Sequence, residues 1–227
     1  AICGLCFFLF TRRELRFCRF TFSVKEILDA CYNGSSEMVS QLSNAVITFL
    51  FNIVMMSLAG EHGVAAITIL LYGQFLFNAF YLGFSIGISP VIGFQYGAGN
   101  RVKLRKIYRI SFLFVAVSSF VIVVSAVFFS PAIVTIFTKD QGTWELASVG
   151  FRLFAINFLF SGMNITSSGF FTALSNGKVS ALISFCRTLV FIVISLLILP
   201  RIFGINGAWI AIPVAESLIA LLGWYYF

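Results

Sequence analysis

The sequence predicts an all-α, polytopic membrane protein with a six-helix transmembrane bundle. Hydrophobic residues make up 60% of the 227 residues and charged residues only 10%, whereas a soluble domain has about 25% charged residues. The mean hydropathy is +1.02, so lipid is the expected solvent. The apolar runs are continuous and far longer than the roughly 10 alternating residues of a membrane barrel strand, which favours helices over strands.

Six apolar runs reach the length of about 20 residues that a transmembrane helix needs. They cover 38–60, 64–100, 110–138, 146–174, 179–200 and 205–227. Residues 1–10 are predicted to be the tail of a preceding span and 11–37 a cytoplasmic connector, so the six-helix bundle covers 38–227. The chain begins inside an apolar run without Met, and we therefore expect it to be a piece of a longer protein.

Basic residues predict the orientation of the bundle. The connector holds Arg12, Arg13, Arg16, Arg19 and Lys25, and the loop after the second span holds Arg101, Lys103, Arg105, Lys106 and Arg109. The loop between them, "GEHG", has none. Short cytoplasmic loops carry the excess of Lys and Arg, so both basic segments and the C-terminus are predicted to be cytoplasmic, in a plasma or inner membrane.

The net charge of +7 is concentrated beside apolar runs. A nucleic-acid-binding domain usually presents its basic face on a soluble core. We therefore expect the lipid bilayer, and not a nucleic acid, as a partner of this chain.

Polar side chains recur at helical spacing in three predicted spans. The first-span row is Glu37, Gln41, Asn44, Thr48 and Asn52, the second-span row is Gln74, Asn78, Tyr81 and Ser85, and the fourth-span row is Asn157, Ser161, Asn164, Ser168 and Thr172. Steps of three and four residues put each row on one helix face. Because amides in hydrocarbon are costly unless they are paired or wet, the rows predict either interhelical hydrogen bonds or one shared polar cavity of the kind a transporter needs.

Two charges fall inside predicted spans. Arg187 lies about 12 Å from the cytoplasmic start of its helix, and Glu216 about 15 Å from the outer start of the next helix, at about 1.5 Å per residue. In antiparallel neighbours these positions have similar depth, so we expect the two side chains to pair. The pair is either structural or a site where Glu216 titrates during transport.

No catalytic set is visible in the sequence, so an enzyme is not predicted, and neither is a cofactor or a metal site. A Ser/His/Asp set, a metal-spaced His and Cys cluster and a phosphate-binding loop are all missing. His62 is predicted to be solvated in an outer loop, and Cys3 and Cys6 to be free thiols. Pro90 is expected to kink its helix or to end the regular part of it.

Three segments resemble the second half of a multidrug and toxic compound extrusion (MATE) transporter. They are "GSSEMVSQLSNAVITFLFN", "GISPVIGFQYGAGNRVKLRKIYR" and "FFTALSNGKVSALISFCRTLVFIVISLLILPRIFGINGAWIAIPVAE". The resemblance implies twelve helices in two lobes, of which this chain is the C-terminal lobe and the N-terminal lobe is its missing partner. It also implies secondary export of cationic or amphipathic drugs or metabolites by alternating access, driven by sodium or proton antiport, with a cavity lined by the first, second and fourth helices of the lobe.

The sequence departs from the acidic pattern of some sodium-coupled family members. Asn44 stands where an acidic residue is expected, and the region from Ser161 to Asn164 has no carboxylate. Coupling is then expected from the missing lobe, from Glu37 or from Glu216.

Two alternatives to a drug exporter stay open. One is a lipid-linked oligosaccharide flippase of the same superfamily, and the other is a non-transporting membrane scaffold. A flippase is expected to place several basic residues in its cavity to meet a pyrophosphate, whereas Arg187 is the sole deep cation predicted here. A scaffold would lack long polar rows.

Overall fold

The computed structural model describes residues 23–174, 182 and 184–226, with side chains at all of these except 30, 32–37, 39–40 and 222–226. Contacts divide the chain into two units, residues 1–32 and 33–227, and the predicted bundle lies in the second. The predicted span tail 1–10 and the part of the connector up to residue 22 lie outside the described residues, as does the side chain of Glu37.

Helix α1 covers Val24–Gly97 as two arms that meet at Gly60. Gly60 has a φ of 61° and a ψ of −148°, a conformation that residues with a Cβ rarely adopt. The outer loop predicted at residues 60–63 is therefore a break at a single glycine. Pro90 does not end the second arm, because the helix continues to Gly97.

Helix α2 covers Arg101–Phe128 and follows a tight turn in which Gly99 has a φ of 66°. The Asn100 side chain caps α2 by accepting a hydrogen bond from the Lys103 backbone N–H at 3.0 Å. The basic residues predicted to form a loop thus occupy the first turns of a helix. Arg and Lys are good helix formers, so the helix begins where the cap is and not where the apolar run begins.

Five further elements complete the described chain, and they divide two of the predicted spans. They are α3 (Ser130–Phe137), α4 (Gln141–Phe154), α5 (Asn157–Ala173), α6 (Phe191–Phe203), which continues from a π-helical turn (Cys186–Val190), and α7 (Ile205–Tyr226). The predicted third span is interrupted at Phe129. The predicted fourth span consists of α4 and α5, which are bent by 53° relative to each other.

Helices α6 and α7 join at Gly204, whose φ of 59° ends α6. The turn at Gly204 lies within the predicted loop "LPRIFGIN" (199–206), although Pro200 and Arg201 of that segment still belong to α6. A Cβ at Gly207 would collide with the backbone carbonyl of Leu199. Glycine at this position therefore lets the two helices approach closely just after the turn.

The described helices have the length and composition of membrane spans. Gln41–Gly97, Arg101–Phe128 and Cys186–Phe203 are each long and apolar enough to cross a membrane, and the bent pair α4 and α5 has that length and composition only when the two helices are taken together. Gln41–Gly97 has 57 residues, more than two spans of about 20 require, and it breaks at Gly60. It accordingly accounts for two predicted spans. The apolar part of α7, Ile205–Leu221, is shorter.

The packed core lies between both arms of α1 and helices α4 and α7. Its largest fully buried side chains include Phe51, Met55, Phe151, Phe154 and Trp209. Trp209 packs so closely on α4 that a Cβ at Gly150 would lie 2.9 Å from its indole ring. Many large apolar side chains are exposed on the outside, as expected of a protein whose solvent is lipid. The all-α, polytopic membrane fold is thus confirmed.

Candidate functional site

The polar row on α5 faces the interior of the bundle. Asn157 and Ser161 are 0% exposed and Asn164 is 4% exposed. Asn157 begins α5, and its side-chain amide donates to the Phe154 carbonyl at 2.9 Å, which satisfies one carbonyl at the end of α4. No donor among the described residues reaches the buried Oδ1 of Asn157, so this amide has accepting capacity left for a ligand or a water molecule.

The second-span row on α1 contacts the α5 row directly. The Ser161 hydroxyl donates to the Asn78 side-chain oxygen at 3.4 Å, and the Tyr81 hydroxyl donates to the Phe158 carbonyl at 3.2 Å. Tyr81 is fully buried because Gly162 leaves room for its ring; a Cβ at Gly162 would lie 2.5 Å from Tyr81 Cε1. Gln74 is half-buried on the same arm. The second and fourth rows are therefore brought together.

Arg187 and Glu216 pair, with Nε and Oε1 3.0 Å apart and side chains 14% and 2% exposed. The Asn164 side-chain amide donates to Glu216 Oε2 at 2.6 Å and also to the Glu216 backbone carbonyl at 3.0 Å. The expected ion pair is thus a triad that links α5, the π-helical turn and α7. Burying one carboxylate is costly unless it is paired and hydrogen-bonded, and this carboxylate has both kinds of partner.

The remaining members of the α5 row make local contacts. The Ser168 and Ser184 hydroxyls lie 3.0 Å apart, and the Thr172 hydroxyl donates to the Ser168 carbonyl at 3.1 Å. Ser85 of the second-span row is buried against Gly169, where a Cβ would collide with its hydroxyl. The contact of Ser85 with Gly169 continues the association of α1 with α5 towards the end of α5.

The first-span row has a different environment. Gln41, Asn44 and Thr48 are exposed on the first arm of α1, and the Thr48 hydroxyl donates to the Asn44 carbonyl at 2.9 Å. Asn52 is half-buried and lines an open hollow of about 430 Å³. The described part of this row therefore faces outward, whereas the α5 row faces inward. The role of all three rows as a substrate or ion path stays a prediction.

His62, next to the break of α1 at Gly60, is 58% exposed as expected of a solvated histidine, and it also makes a polar contact. His62 Nδ1 lies 2.9 Å from Asp140 Oδ2 and 3.2 Å from the Thr143 hydroxyl. Asp140 caps α4 by accepting from the Thr143 backbone N–H at 2.8 Å. The Thr143 hydroxyl, the Thr143 N–H and the His62 charge together hold the pKa of Asp140 below its ordinary value.

Two features of the site have no simple sequence signal. The bond from Asn164 to Glu216 joins two helices that are far apart in the chain, and a π-helical turn carries Arg187. The contact of Gly162 with Tyr81 could have been found, because Gly162 directly follows Ser161 of the α5 row and small residues in membrane helices allow close helix contact. Among the described residues, no three His, Cys, Asp or Glu side chains converge to hold a metal ion.

Comparison with known proteins shows which family this chain resembles. A family model described as MatE matches residues 38–197. The multidrug export protein MepA of Staphylococcus aureus is 26% identical over 141 residues, which are 62% of this chain and 31% of that protein. The chain therefore matches about a third of the length of the curated relatives.

Solved structures share the fold. A MOP superfamily transporter from Pyrococcus furiosus superposes with a TM-score of 0.89 at 23% identity, over 99% of this chain and 52% of that one. The outward-facing conformation of a multidrug resistance MATE family transporter gives a TM-score of 0.88 at 24% identity, over 99% and 51%. The chain spans about half the length of these transporters.

Proposed function

The chain belongs to the MatE family, and we propose that it forms the C-terminal lobe of a secondary exporter of cationic or amphipathic drugs or metabolites. In this proposal the lobe rocks against a missing N-terminal lobe, and the substrate crosses between them by alternating access. The relatives named as multidrug export proteins support the substrate class, and the match to about half the length of a MATE family transporter supports the division into lobes.

The main support for this proposal is that the polar first-span row is exposed on the first arm of α1. Gln41, Asn44 and Thr48 are exposed on an otherwise apolar helix of membrane length. A side-chain amide that faces hydrocarbon, as that of Asn44 would without a second lobe, loses its hydrogen bonds with water, which costs roughly several kcal/mol for each unsatisfied group. A water-filled space between two lobes removes this cost and offers a path for a polar or cationic substrate.

The buried triad favours an exporter of cations over the flippase alternative. A pyrophosphate cargo needs basic side chains that are free to meet it, but Arg187 is already bound by Glu216. The rows themselves carry amides and hydroxyls, which suit neutral or cationic groups. Half-buried Phe77 and Phe84 add aromatic faces beside the second-span row, and a lipophilic cation binds well to such faces.

We propose that the coupling ion is bound mainly outside the triad. Glu216 is 2% exposed and has Arg187 and Asn164 as partners, so releasing it for a sodium ion or a proton means breaking both contacts. The sources of coupling that remain from the sequence are a carboxylate of the missing lobe and Glu37. The basic first turns of α2 support a cytoplasmic location for that end of the bundle and for the C-terminus.

Ethidium efflux from cells that produce the full-length protein tests the proposed activity. We expect efflux that stops when the coupling gradient is collapsed, with a sodium ionophore and a proton uncoupler applied separately to identify the ion. Efflux unchanged under both treatments, or no efflux at all, would contradict a secondary exporter.

Thiol labelling tests the proposed path independently. With the five native cysteines replaced, Asn44→Cys is expected to react with a membrane-impermeant thiol reagent. Leu42→Cys is the matched control, because Leu42 is 66% exposed but lies about 200° around the helix from Asn44, at about 100° per residue. Equal labelling of both positions, or labelling of Leu42→Cys alone, would rule out a watery path along this row.

A further inference from the structure

A groove of about 810 Å³ runs along α2 and reaches α5. Arg101, Arg105 and Arg109 line its beginning, and all three are exposed. Their spacing of four residues puts them on one face of α2 over about 12 Å of helix axis. Lys103 and Lys106 belong to the same turns but are not among the residues that line the groove.

The other end of the groove is apolar. Phe112 and Ala116 of α2 and Phe170 of α5 line it. The Tyr108 and Phe170 rings meet edge to face with centroids 5.1 Å apart, and this contact closes the floor between the two helices. The groove thus changes from cationic to apolar along a single helix.

This polarity follows the direction in which α2 crosses the membrane. Arg101–Phe128 is long and apolar enough to span, so its basic end lies at the membrane surface and Ala116 lies towards the hydrocarbon. A phospholipid has the same order, with a polar headgroup at the interface and acyl chains below it. A soluble anion would match only the basic end.

Among the described residues, the charges of the groove have no counterion within its walls. The first turn of α2 has no acidic residue, and none of the residues lining the groove is acidic. Cations at a helix N-terminus oppose the helix dipole, and like charges four residues apart repel each other. An anionic headgroup at this place relieves both effects, because phosphate oxygens accept bidentate hydrogen bonds from arginine.

We propose that this groove binds an anionic phospholipid of the bilayer, with the headgroup phosphate on Arg101, Arg105 and Arg109 and one acyl chain along Phe112, Ala116 and Phe170. Basic pockets between membrane helices are suited to anionic headgroups. The site is separate from the polar rows and does not depend on what the protein transports.

Native mass spectrometry of the full-length protein, released from nanodiscs of phosphatidylcholine mixed with phosphatidylglycerol or cardiolipin, tests the headgroup contact. Arg101→Gln with Arg105→Gln is expected to lower the retained anionic lipid roughly tenfold or more, since these two arginines line the groove and each would hold the headgroup phosphate through bidentate hydrogen bonds. Lys103→Gln with Lys106→Gln removes the same charge from the same turns and is expected to retain the lipid. An equal loss in both variants, or no loss in the arginine variant, overturns the proposal.

A second pair of variants tests the acyl-chain contact. Ala116→Phe fills the apolar end and keeps every charge, and Leu113→Gln makes its exposed wall polar without adding much volume. Both are expected to release the phospholipid, whereas excess inorganic phosphate is expected to leave it bound to the wild type. Undiminished lipid retention in both variants, or displacement by phosphate alone, would show that only an anion is held and would overturn the lipid assignment. Gel-filtration profiles of all variants verify that they are folded.

Discussion

The polar rows on α5 and on the first arm of α1 use the same residue types at the same spacing but have opposite environments. Asn164 is 4% exposed and its side-chain amide holds Glu216, whereas Asn44 is exposed and, among the described side chains, the one bond that it receives goes from the Thr48 hydroxyl to its backbone carbonyl. A buried amide contributes to stability through its partners, because leaving them unsatisfied is costly. An exposed amide contributes little to stability and is free to meet a ligand, so the two rows differ in what they can do.

Breaking the Arg187–Glu216 pair is expected to give the largest effect. Arg187→Ala leaves Glu216, which is 2% exposed, as a buried charge with only amide partners, and removing one member of a buried pair costs about 3–5 kcal/mol. Chemical unfolding of the full-length protein in detergent measures the loss. Arg187→Met combined with Glu216→Leu should recover most of it, because no lone charge remains. A fully stable Arg187→Ala protein would show that the pair does not stabilise the lobe.

The same substitution of asparagine by alanine in each row compares directly how much the two rows contribute to stability. Asn164→Ala removes the donor to Glu216 and is expected to lower the free energy of unfolding by about 1–3 kcal/mol. Asn44→Ala is expected to change it by less than about 0.5 kcal/mol, while it raises the substrate concentration needed for half-maximal efflux. Similar stability losses in the two variants would mean that exposure does not separate the rows.

Two glycine-to-alanine substitutions are expected to change the stability of the folded protein in opposite directions. Gly162→Ala forces a Cβ to within 2.5 Å of the Tyr81 ring, and overpacking of this kind costs about 1–3 kcal/mol. Gly83→Ala has no atom within 4 Å of its added Cβ and should stabilise the helix by up to about 1 kcal/mol, since alanine is the better helix former. Melting temperatures of the two variants measure the contrast, and a stable Gly162→Ala protein would contradict the close approach of the second and fourth rows.

The smallest expected effect lies outside both rows, at the start of α4. The pKa of Asp140 is lowered in the folded protein by Thr143 and His62, so its contribution to stability is present above the pKa of the unfolded chain and is lost as the pH falls through the lower folded value. The melting temperature of the wild type should therefore exceed that of Asp140→Asn at neutral pH, and the difference should shrink below about pH 4. A difference that is constant from neutral to acidic pH would contradict the role of the carboxylate charge.

Much of the bundle could be predicted from its sequence because the bilayer imposes length and apolarity on each span. The similar depth of Arg187 and Glu216 also predicted their pairing, which follows from helical rise alone. The environment of each row could not be predicted, because spacing fixes the face of a helix but not the neighbour of that face. The start of α2 at Arg101 could not be predicted either. The helix begins at the hydrogen bond that the Asn100 side chain accepts, several residues before the apolar run begins.

The π-helical turn has a consequence for how α6 is oriented. In it the Phe191 N–H donates to the Cys186 carbonyl, five residues back, so this turn contains one residue more than its neighbours. Each residue advances a helix by about 100°, and that surplus sets the rotation of everything from Phe191 onward. Deleting one amino acid here would swing Ser195 and Leu196, now 3% and 2% exposed, out of the interior. The inward face of α6 therefore depends on an irregularity of a single amino acid rather than on its own apolar pattern.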